Sequence, residues 1–474
     1  MLKVYNTLTN SKEEFKPVKE GQVKMYICGQ TVYDNMHIGH GRTYISFDII
    51  RRYLEYKGYS VETVINITDV NDKIDKRAEE EGTSSEEVSE KYTKINIEDF
   101  EMLGVRAEAY PKASEYVQEM IEMVEKLVER GLAYESNGNV FYNVKKFEDY
   151  GKLSNQDLES LESDRDDIKS QSAKKDPRDF VLWRSRKDYN GPTWDSPWGE
   201  GVPGWHIECS AMSTELLGEE IDIHGGGVDL VFPHHEDEIA QCEGATGKKP
   251  WVKYWMHAGL VRLKDEKMSK SLGNFVSTRE LLEEYRPEVL RTLVASTHYR
   301  KPLDYSEKVL KQAKSNFKTV ENCLNSIEKE LNSKKVMPEK LTEKDKEFKE
   351  EVLKLKKSFE KSMNDDFNTS SALKDLIRLS KKINKYIETG KPNKHVLEHS
   401  RNVLEKLSWV LGVLPYTDNS STDSRKEPEI IEAIIEIREE ARNKKLYDFA
   451  DKIREKLKEV GVDLEDTEKG VRWS

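Results

Sequence analysis

CGQTVYDNMHIGHGR, residues 28–42, is the stretch on which the fold turns. Before it lies KMYIC (Lys24–Cys28), a short strand pattern. After it, Phe47, Ile50 and Leu54 recur at helical spacing through Ser46–Tyr56, and VETVINI (Val61–Ile67) is a second strand pattern. Strand, loop, helix and strand in that order predict parallel strands joined by a crossover helix. The spacing places the start of a helix near Gly39, so His37 and His40 share a face of its first turn. Gly39 leaves room for a flat group to approach the backbone, and imidazoles at a helix N-terminus can donate to phosphate. A lone H-x-x-H is more often a pair of loop histidines bonded to nearby carbonyls, so this motif needs a partner.

Moving outward, EIDIHGGGVDL (Glu220–Leu230) and MHAGLVRL (Met256–Leu263) read as later strands of the same sheet, the first running into a glycine loop. Between the halves, Glu115–Arg130 has a helix pattern, Asn139–Val144 is strand-like, and Ser154–Asp176 is polar enough for a loop. The expected organisation is a Rossmann-like α/β domain in two halves, 1–115 and 205–260, with an insertion at 116–204 and a further segment at 261–305. Lys/Glu-rich helical patterns at 306–330, 344–362, 371–388 and 396–413 predict an all-α bundle over 306–414. Residues 415–429 have linker composition, and 430–474 form a small C-terminal unit with Phe449, Ile453, Leu457 and Val460 on one helix face.

Composition excludes several classes. The chain has 474 residues, 35% charged and 36% hydrophobic, which suffices for cores in about three domains of ~150 residues. No run approaches the ~20 apolar residues of a membrane span, and the first ten residues lack a secretory signal. Four cysteines are too few for a disulfide scaffold. The expectation is a cytoplasmic protein with reduced thiols and no membrane partner. A net charge of −12 argues against a wholly basic nucleic-acid binder, while leaving open a single basic face.

The partner motif is EKMSKSLGN (Glu266–Asn274), where Lys267 and Lys270 sit among serines and before a glycine. Alone, K-x-x-K is usually a solvated turn. H-I-G-H followed about 230 residues later by K-M-S-K-S resembles the paired motifs of class I aminoacyl-tRNA synthetases. Within that class the chain resembles the cysteinyl-tRNA synthetases over essentially its full length, through MYICGQTVYD, NITDVND, DPRDFVLWRS, GWHIECSAMS, DIHGGGVDLVFPHHEDEIAQ, NDDFNTSSAL and DLEDTEKGVRW.

Cys28, Cys209, His234 and Glu238 are plausible zinc ligands, with His234 and Glu238 four apart on a helix expected to hold Pro233 in its first turn. His235 is the local competitor for His234. There is no C-x-x-C pair, and spacing alone favours buried cysteines, the role expected of Cys242 and Cys323. The resemblance implies that the four are ligands of one zinc ion per chain. It implies ATP-dependent ligation of L-cysteine to tRNA(Cys) through a cysteinyl-adenylate, with Mg2+ accompanying ATP. His37, His40, Lys267 and Lys270 would carry the catalysis. Gly39, Asp229 and Lys270 would bind ATP. Thr68, Trp205 and His224 would enclose the amino acid. A soft thiolate binds zinc far better than a hydroxyl does, so the ion can reject serine and no editing activity is expected.

The resemblance also makes the bundle an anticodon-binding domain and the chain a monomer. Arg438 and Arg442, with Lys445 one turn on, could track phosphates, and Trp473 could stack on a base. Solvated Lys/Glu faces and a packed terminal tryptophan are the bland counterparts. Gly41, Asn71 and Val202 depart from the family's usual Ala, Asp and Arg. Two rivals are a mycothiol-pathway cysteine ligase with an amino-sugar acceptor and a non-catalytic synthetase-derived RNA-binding protein. The long helical region argues against the first, and the intact motif and ligand residues against the second.

Overall fold

The helix that the H-I-G-H motif opens is capped by the motif itself. His37 is its N-cap, extended at φ −92° and ψ 161°, and its Nδ1 accepts the His40 N–H at 3.0 Å, satisfying one of the donors a helix start leaves open. The computed structural model describes residues 1–156, 173–189, 191–263, 266–267, 275–333, 337–338, 340–414, 438, 441–442, 446–459, 464–467 and 470–473. Within these, side chains are not described at 188, 266–267, 448–449, 455, 457–459, 464–467 and 470–473.

The first half contains β1 (Lys3–Asn6), β2 (Ser11–Glu14), β3 (Gln22–Ile27), α1 (Ile38–Tyr56), β4 (Ser60–Ile65), α2 (Asp72–Glu81) and α3 (Ser85–Leu103). Next come α4 (Val117–Glu129), β5 (Ala133–Ser136), β6 (Asn139–Tyr142), β7 (Phe180–Ser185) and β8 (Gly201–Pro203). The strands β5 to β8 form an antiparallel sheet of their own in that order. The chain returns through α5 (Trp205–Leu217), β9 (Ile221–Gly227), α6 (Glu236–Thr246) and β10 (Val252–Ala258). The central sheet has the order β10-β9-β3-β4, every pair parallel. Sequence-distant β3 and β9 are thus neighbours, and their C-terminal ends open on one crevice, where parallel sheets bind ligands.

One local expectation is corrected. MHAGLVRL is not one strand: β10 stops at Ala258, and β11 (Val261–Leu263) pairs instead with β12 (Glu266–Lys267) and later with β13 (Leu303–Tyr305). The break is built around Arg42, whose buried guanidinium donates to the Gly259 and Leu260 carbonyls at 2.7 and 2.6 Å, while Gly259 N–H donates to Tyr299 O. The helix expected to hold Pro233 in its first turn is present: Phe232 is extended at φ −142° and ψ 131° between two helical pieces, and the helical backbone that starts at Pro233 runs on through His235 into α6. The expected loop at 154–176 lies outside the described residues from 157 to 172, as does the linker at 415–429.

After β12 the chain forms α7 (Thr278–Glu284), α8 (Pro287–Ala295) and β13, then the four long helices α9 (Glu307–Leu331), α10 (Glu343–Met363), α11 (Thr369–Ile387) and α12 (Lys394–Leu411). Their apolar faces bury Phe317, Val320, Phe359, Leu376 and Leu404 in the cluster that also holds Ile45 and Ile49 of α1. Asp48 of α1 is fully buried against Arg51, Arg52 and Arg291. Burial raises its carboxyl pKa, but the three guanidinium groups outweigh this and hold it well below the ordinary carboxylate range. A depressed folded-state pKa stabilises the fold at neutral pH and is lost on acidification. Asp48→Asn is therefore expected to destabilise the chain at pH 7, with the difference from the unaltered protein shrinking as pH falls below about 4. Urea unfolding at pH 7 and pH 3 measures this; an unchanged difference would refute it.

Residues Tyr416–Ser474 form a separate compact unit. It contains α13 (Tyr447–Glu459) and the hairpin β14 (Leu464–Thr467) and β15 (Gly470–Trp473). Arg438 is buried and Arg442 exposed, so the two do not form one exposed basic stripe. Lys445, Val460 and the side chains of Phe449, Leu457 and Trp473 lie outside the described residues.

Candidate active site

The crevice at the ends of β3, β9 and β10 is a cleft of about 310 Å3 whose walls include Cys28, His37, Gly39, His40, Trp205 and Asp229. The His37 and His40 rings stack at 3.5 Å with 12° between planes. Because His37 Nδ1 accepts a backbone N–H, a neutral His37 carries its proton on Nε2 and can donate from there. The start of α1 and the segment that follows K-M-S-K-S meet through backbone. Ile38 N–H donates to Val276 O at 3.0 Å, and Thr278 N–H donates to Met36 O at 2.8 Å. The other end of the K-M-S-K-S segment is held by the pairing of Lys267 with Arg262. Lys270 and the side chain of Lys267 lie outside the described residues.

Glycine is required at position 29, where a Cβ would lie 1.6 Å from the Asn66 carbonyl oxygen, and this lets β3 and β4 close behind Cys28. A Cβ on Gly227 would lie 2.4 Å from the Asp229 carboxylate, a side-chain end that can turn aside. A Cβ on Gly41 would lie 3.1 Å from Thr278 Oγ1, a tight approach that a small shift relieves. Asn71 caps α2 by accepting the Lys73 N–H, a role Asp fills equally well.

At the floor of the cleft, Cys28, Cys209, His234 and Glu238 place one donor atom each within 4.8 Å of one another, all buried. Cys28 Sγ is 3.7 Å from Cys209 Sγ and 3.6 Å from Glu238 Oε1, and His234 Nε2 is 2.9 Å from Glu238 Oε1. A second set shares two of these residues: Cys28, His224, His235 and Glu238. His224 Nε2 and His235 Nε2 each lie 3.3 Å from Cys28 Sγ. Burial pushes the Cys209 thiol up, yet hydrogen bonds from Cys28 and His234 bring it down to about 6. Burial lowers the His234 pKa, but Glu238 and Cys209 raise it to about 10. Burial raises the Glu238 pKa, and His224 and His234 outweigh this and hold it well below its ordinary value. A thiolate and a carboxylate buried together are costly unless a cation joins them, and two sulfurs, an imidazole and a carboxylate suit a borderline-soft divalent metal.

Both candidate histidines are oriented from behind. His234 Nδ1 lies 2.8 Å from His206 Nδ1, and His206 Nε2 lies 3.4 Å from Asp237. His235 Nδ1 lies 2.8 Å from His257 Nε2, and His257 Nδ1 lies 2.8 Å from Thr7 Oγ1. Such partners orient metal-bound imidazoles. The chain pattern offered one hint of them: His206 precedes Cys209 by one helical turn. Lys73, on the cleft wall over the Tyr33 ring at 5.6 Å, was also invisible in the sequence.

Trp205 begins α5, is 41% exposed despite its size, and packs on the His234 ring at 4.4 Å. Thr68 is buried and its hydroxyl donates to Glu208 Oε2 at 3.0 Å. His224 is fully buried between Trp251 and Trp255 as well as facing Cys28. Cys242 and Cys323 are buried outside both donor sets.

A parallel-sheet crevice with stacked histidines at the start of the first long helix, joined by backbone to the segment that follows K-M-S-K-S in the chain, defines a class I tRNA synthetase. Residues 14–315 match the family model for tRNA synthetases class I (C) catalytic domain, and 358–415 match the DALR domain. The chain is 47% identical over 476 residues to the cysteine–tRNA ligase of Thermococcus onnurineus, covering 100% of this chain and 98% of that one. It is 49% identical over 478 residues to the cysteine–tRNA ligase of Pyrococcus furiosus, covering 100% and 99%. The fold matches the Mycobacterium tuberculosis methionyl-tRNA synthetase bound to methionyl-adenylate, with TM-score 0.60 and 14% identity over 83% of this chain and 90% of that one. This chain belongs to the cysteine–tRNA ligase family.

Proposed function

We propose that this chain activates L-cysteine with ATP and transfers it to the terminal ribose of tRNA(Cys). One observation carries the reading: a stacked histidine pair at the N-terminus of α1 and a buried two-thiol donor set beside Trp205 share a single cleft. In the first step a cysteine carboxylate oxygen attacks the α-phosphorus of ATP and pyrophosphate leaves. In the second the ribose hydroxyl attacks the cysteinyl carbonyl and AMP leaves. His37 and His40 stabilise the reacting phosphates, aided by the dipole of α1. Gly39 and Asp229 hold the nucleotide, and Mg2+ enters with it. Lys267 and Lys270 close over the departing pyrophosphate. Trp205, Thr68 and His224 shape the amino-acid end, directly or from behind.

Cys28, Cys209, His234 and Glu238 fit Zn2+ better than the set with one sulfur, because thiolates are its preferred ligands. When bound, the ion supplies a coordination site that a substrate thiolate fills and a serine hydroxyl or alanine methyl fills poorly. His206 and Asp237 then orient His234, and the apolar ring of Trp205 excludes water above it. This filter stands in place of editing.

The same reading assigns 116–204 to the acceptor side, 306–414 to anticodon binding and 430–474 to anticodon recognition, where Arg442 and Trp473 are the candidate contacts. It also makes the chain a cytoplasmic monomer. Among the described residues, no helix is long and apolar enough to cross a membrane.

Lys270→Ala is expected to lower cysteine-dependent exchange of pyrophosphate into ATP by about 100-fold while changing cysteine affinity by less than about threefold, since its bond strengthens only in the transition state. Equal losses in both would assign Lys270 to binding. Charging of unfractionated tRNA with labelled cysteine, beside serine and beside metal-stripped protein, tests the whole reading. Cysteine-only, metal-dependent charging supports it. Exchange without charging points to another acceptor, and neither activity in folded, metal-loaded protein points to a binding protein.

A further inference from the structure

The insertion reaches the metal floor from behind. Past β6, residues 150–154 sit on α6. The Tyr150 hydroxyl donates to Asp237 Oδ1, and Lys152 pairs with Glu243. Leu153 and Ser154 N–H donate to Glu236 Oε2 at 3.1 and 2.8 Å. Tyr150 and Asp237 are both buried, Asp237 completely.

The contact at Asp237 leads further. Its other oxygen, Oδ2, faces His206 Nε2 at 3.4 Å, and His206 Nδ1 lies 2.8 Å from His234 Nδ1. Proton positions along this line follow from its far end. His234 turns Nε2 into the two-sulfur donor set, 2.9 Å from Glu238 Oε1. An imidazole that gives Nε2 to a metal carries its proton on Nδ1. His234 therefore donates to His206 Nδ1, and His206 carries its own proton on Nε2, toward Asp237. The carboxylate is then approached by a donor at each oxygen, His206 on one side and Tyr150 on the other.

We infer that Tyr150, a residue of the insertion, is a positioning residue for the metal site: its hydroxyl fixes the Asp237 carboxylate, which through His206 sets the orientation of His234. The inference rests on the reading of Cys28, Cys209, His234 and Glu238 as the metal ligands. Two observations separate the hydroxyl from mere packing. Asp237 lies fully out of solvent, so bulk water does not replace a donor lost there. The Tyr150 ring is also held independently of its hydroxyl. Phe180 of β7 lies 6.4 Å from it, and the same Phe180 ring meets His206 edge-on at 6.0 Å. Tyr150→Phe thus keeps the aromatic contacts and deletes one bond. The sheet domain supplies the ligands, and the insertion supplies the group that aligns one of them.

The test uses the full-length chain with Tyr150→Phe, and with Lys152→Met as the comparison, which loosens the same segment from α6 without touching Asp237. Competition with a chromophoric chelator measures Zn2+ affinity, and Co2+ in place of Zn2+ gives a thiolate-to-metal absorption band that reports ligand geometry. Loss of an outer partner of a metal-bound histidine typically costs 10–100-fold, and Tyr150 stands farther out, so about five- to tenfold weaker Zn2+ binding is expected, with a shifted Co2+ band. KM for cysteine is expected to rise by about threefold or more, with KM for ATP within about twofold. Lys152→Met is expected to stay within about twofold on every readout. In a His206→Ala background, where the line is already cut, Tyr150→Phe is expected to weaken Zn2+ binding by less than about twofold more. Circular dichroism checks that each variant folds. Unchanged affinity and spectrum in Tyr150→Phe overturn the inference. So does a full, additive effect in the His206→Ala background, or an equal effect of Lys152→Met, either of which would assign the change to seating of the segment alone. Absence of bound metal in the unaltered chain overturns the four-ligand reading, and the inference with it.

Discussion

Cys209→Ala is expected to leave the purified chain without its bound metal and to lower cysteine activation by more than about 100-fold. That figure is the upper range for disturbing a residue that merely supports a metal ligand, so losing a ligand should exceed it. The reason is local. Cys209 sits 3.7 Å from Cys28 and hydrogen-bonds to His234 in a fully buried cluster. Removing its sulfur leaves three donors, and the fourth position opens to water or to the competing imidazoles of His224 and His235. Elemental analysis of metal per chain and pyrophosphate exchange are the two readouts. Cys242→Ala is the control. Its thiol is equally buried but belongs to neither donor set and hydrogen-bonds to Ser210 O, so metal content should be unchanged. Full metal occupancy in Cys209→Ala would transfer the site to the set of Cys28, His224, His235 and Glu238.

The second large effect is expected at Asp366, away from the chemistry. Asp366 and Phe367 are non-glycine residues in the left-handed region, at φ 59° and 50°, a conformation that costs roughly 1–3 kcal/mol per residue and persists only where surroundings enforce it. What enforces it is the Asp366 carboxylate. Fully buried, it accepts the Tyr5 N–H at 2.8 Å, the Tyr299 hydroxyl at 2.9 Å and Arg300 Nε at 2.7 Å. The Tyr299 carbonyl in turn accepts from Arg42, two residues beyond His40, and from Gly259 N–H. One carboxylate thus ties the connection between α10 and α11 to α1, the helix that His37 caps. Asp366→Ala strands three donors and should lower the unfolding free energy of the first unit by about 3–5 kcal/mol, the range for breaking a buried ion pair. Asp366→Asn keeps an acceptor and tolerates positive φ, so it should avoid much of that loss. Denaturant unfolding of both variants measures the difference; equal stabilities would mean that the carboxylate is not the anchor.

NDDFNTSSAL marked family membership in the chain, but nothing in its letters said why. The answer is the Asp366 node, which joins residues 5, 299, 300 and 366. The metal residues behave the same way. Cys28, Cys209, His234 and Glu238 were identifiable through resemblance, while their spacing alone argued weakly. His206, His257 and Thr7 behind them, and Lys73 on the cleft wall, carried almost no signal, because each is meaningful only through a neighbour distant in the chain.

Local order was written along the chain. Helical periodicity placed α9 to α12 closely, the 28–42 motif placed the start of α1, and strand patterns placed β3, β4 and β9, because these depend on residues within a few positions of one another. The error fell where a distant group dictates the backbone: MHAGLVRL divides at Gly259 because Arg42 claims the carbonyls there. The site itself is a product of strand order. Only the insertion of β3 between β9 and β4 brings Cys28 to the donors carried by α5 and the segment entering α6. Periodicity specifies which residues face a core; the parallel sheet, closed by long-range pairing, decides which of those faces meet.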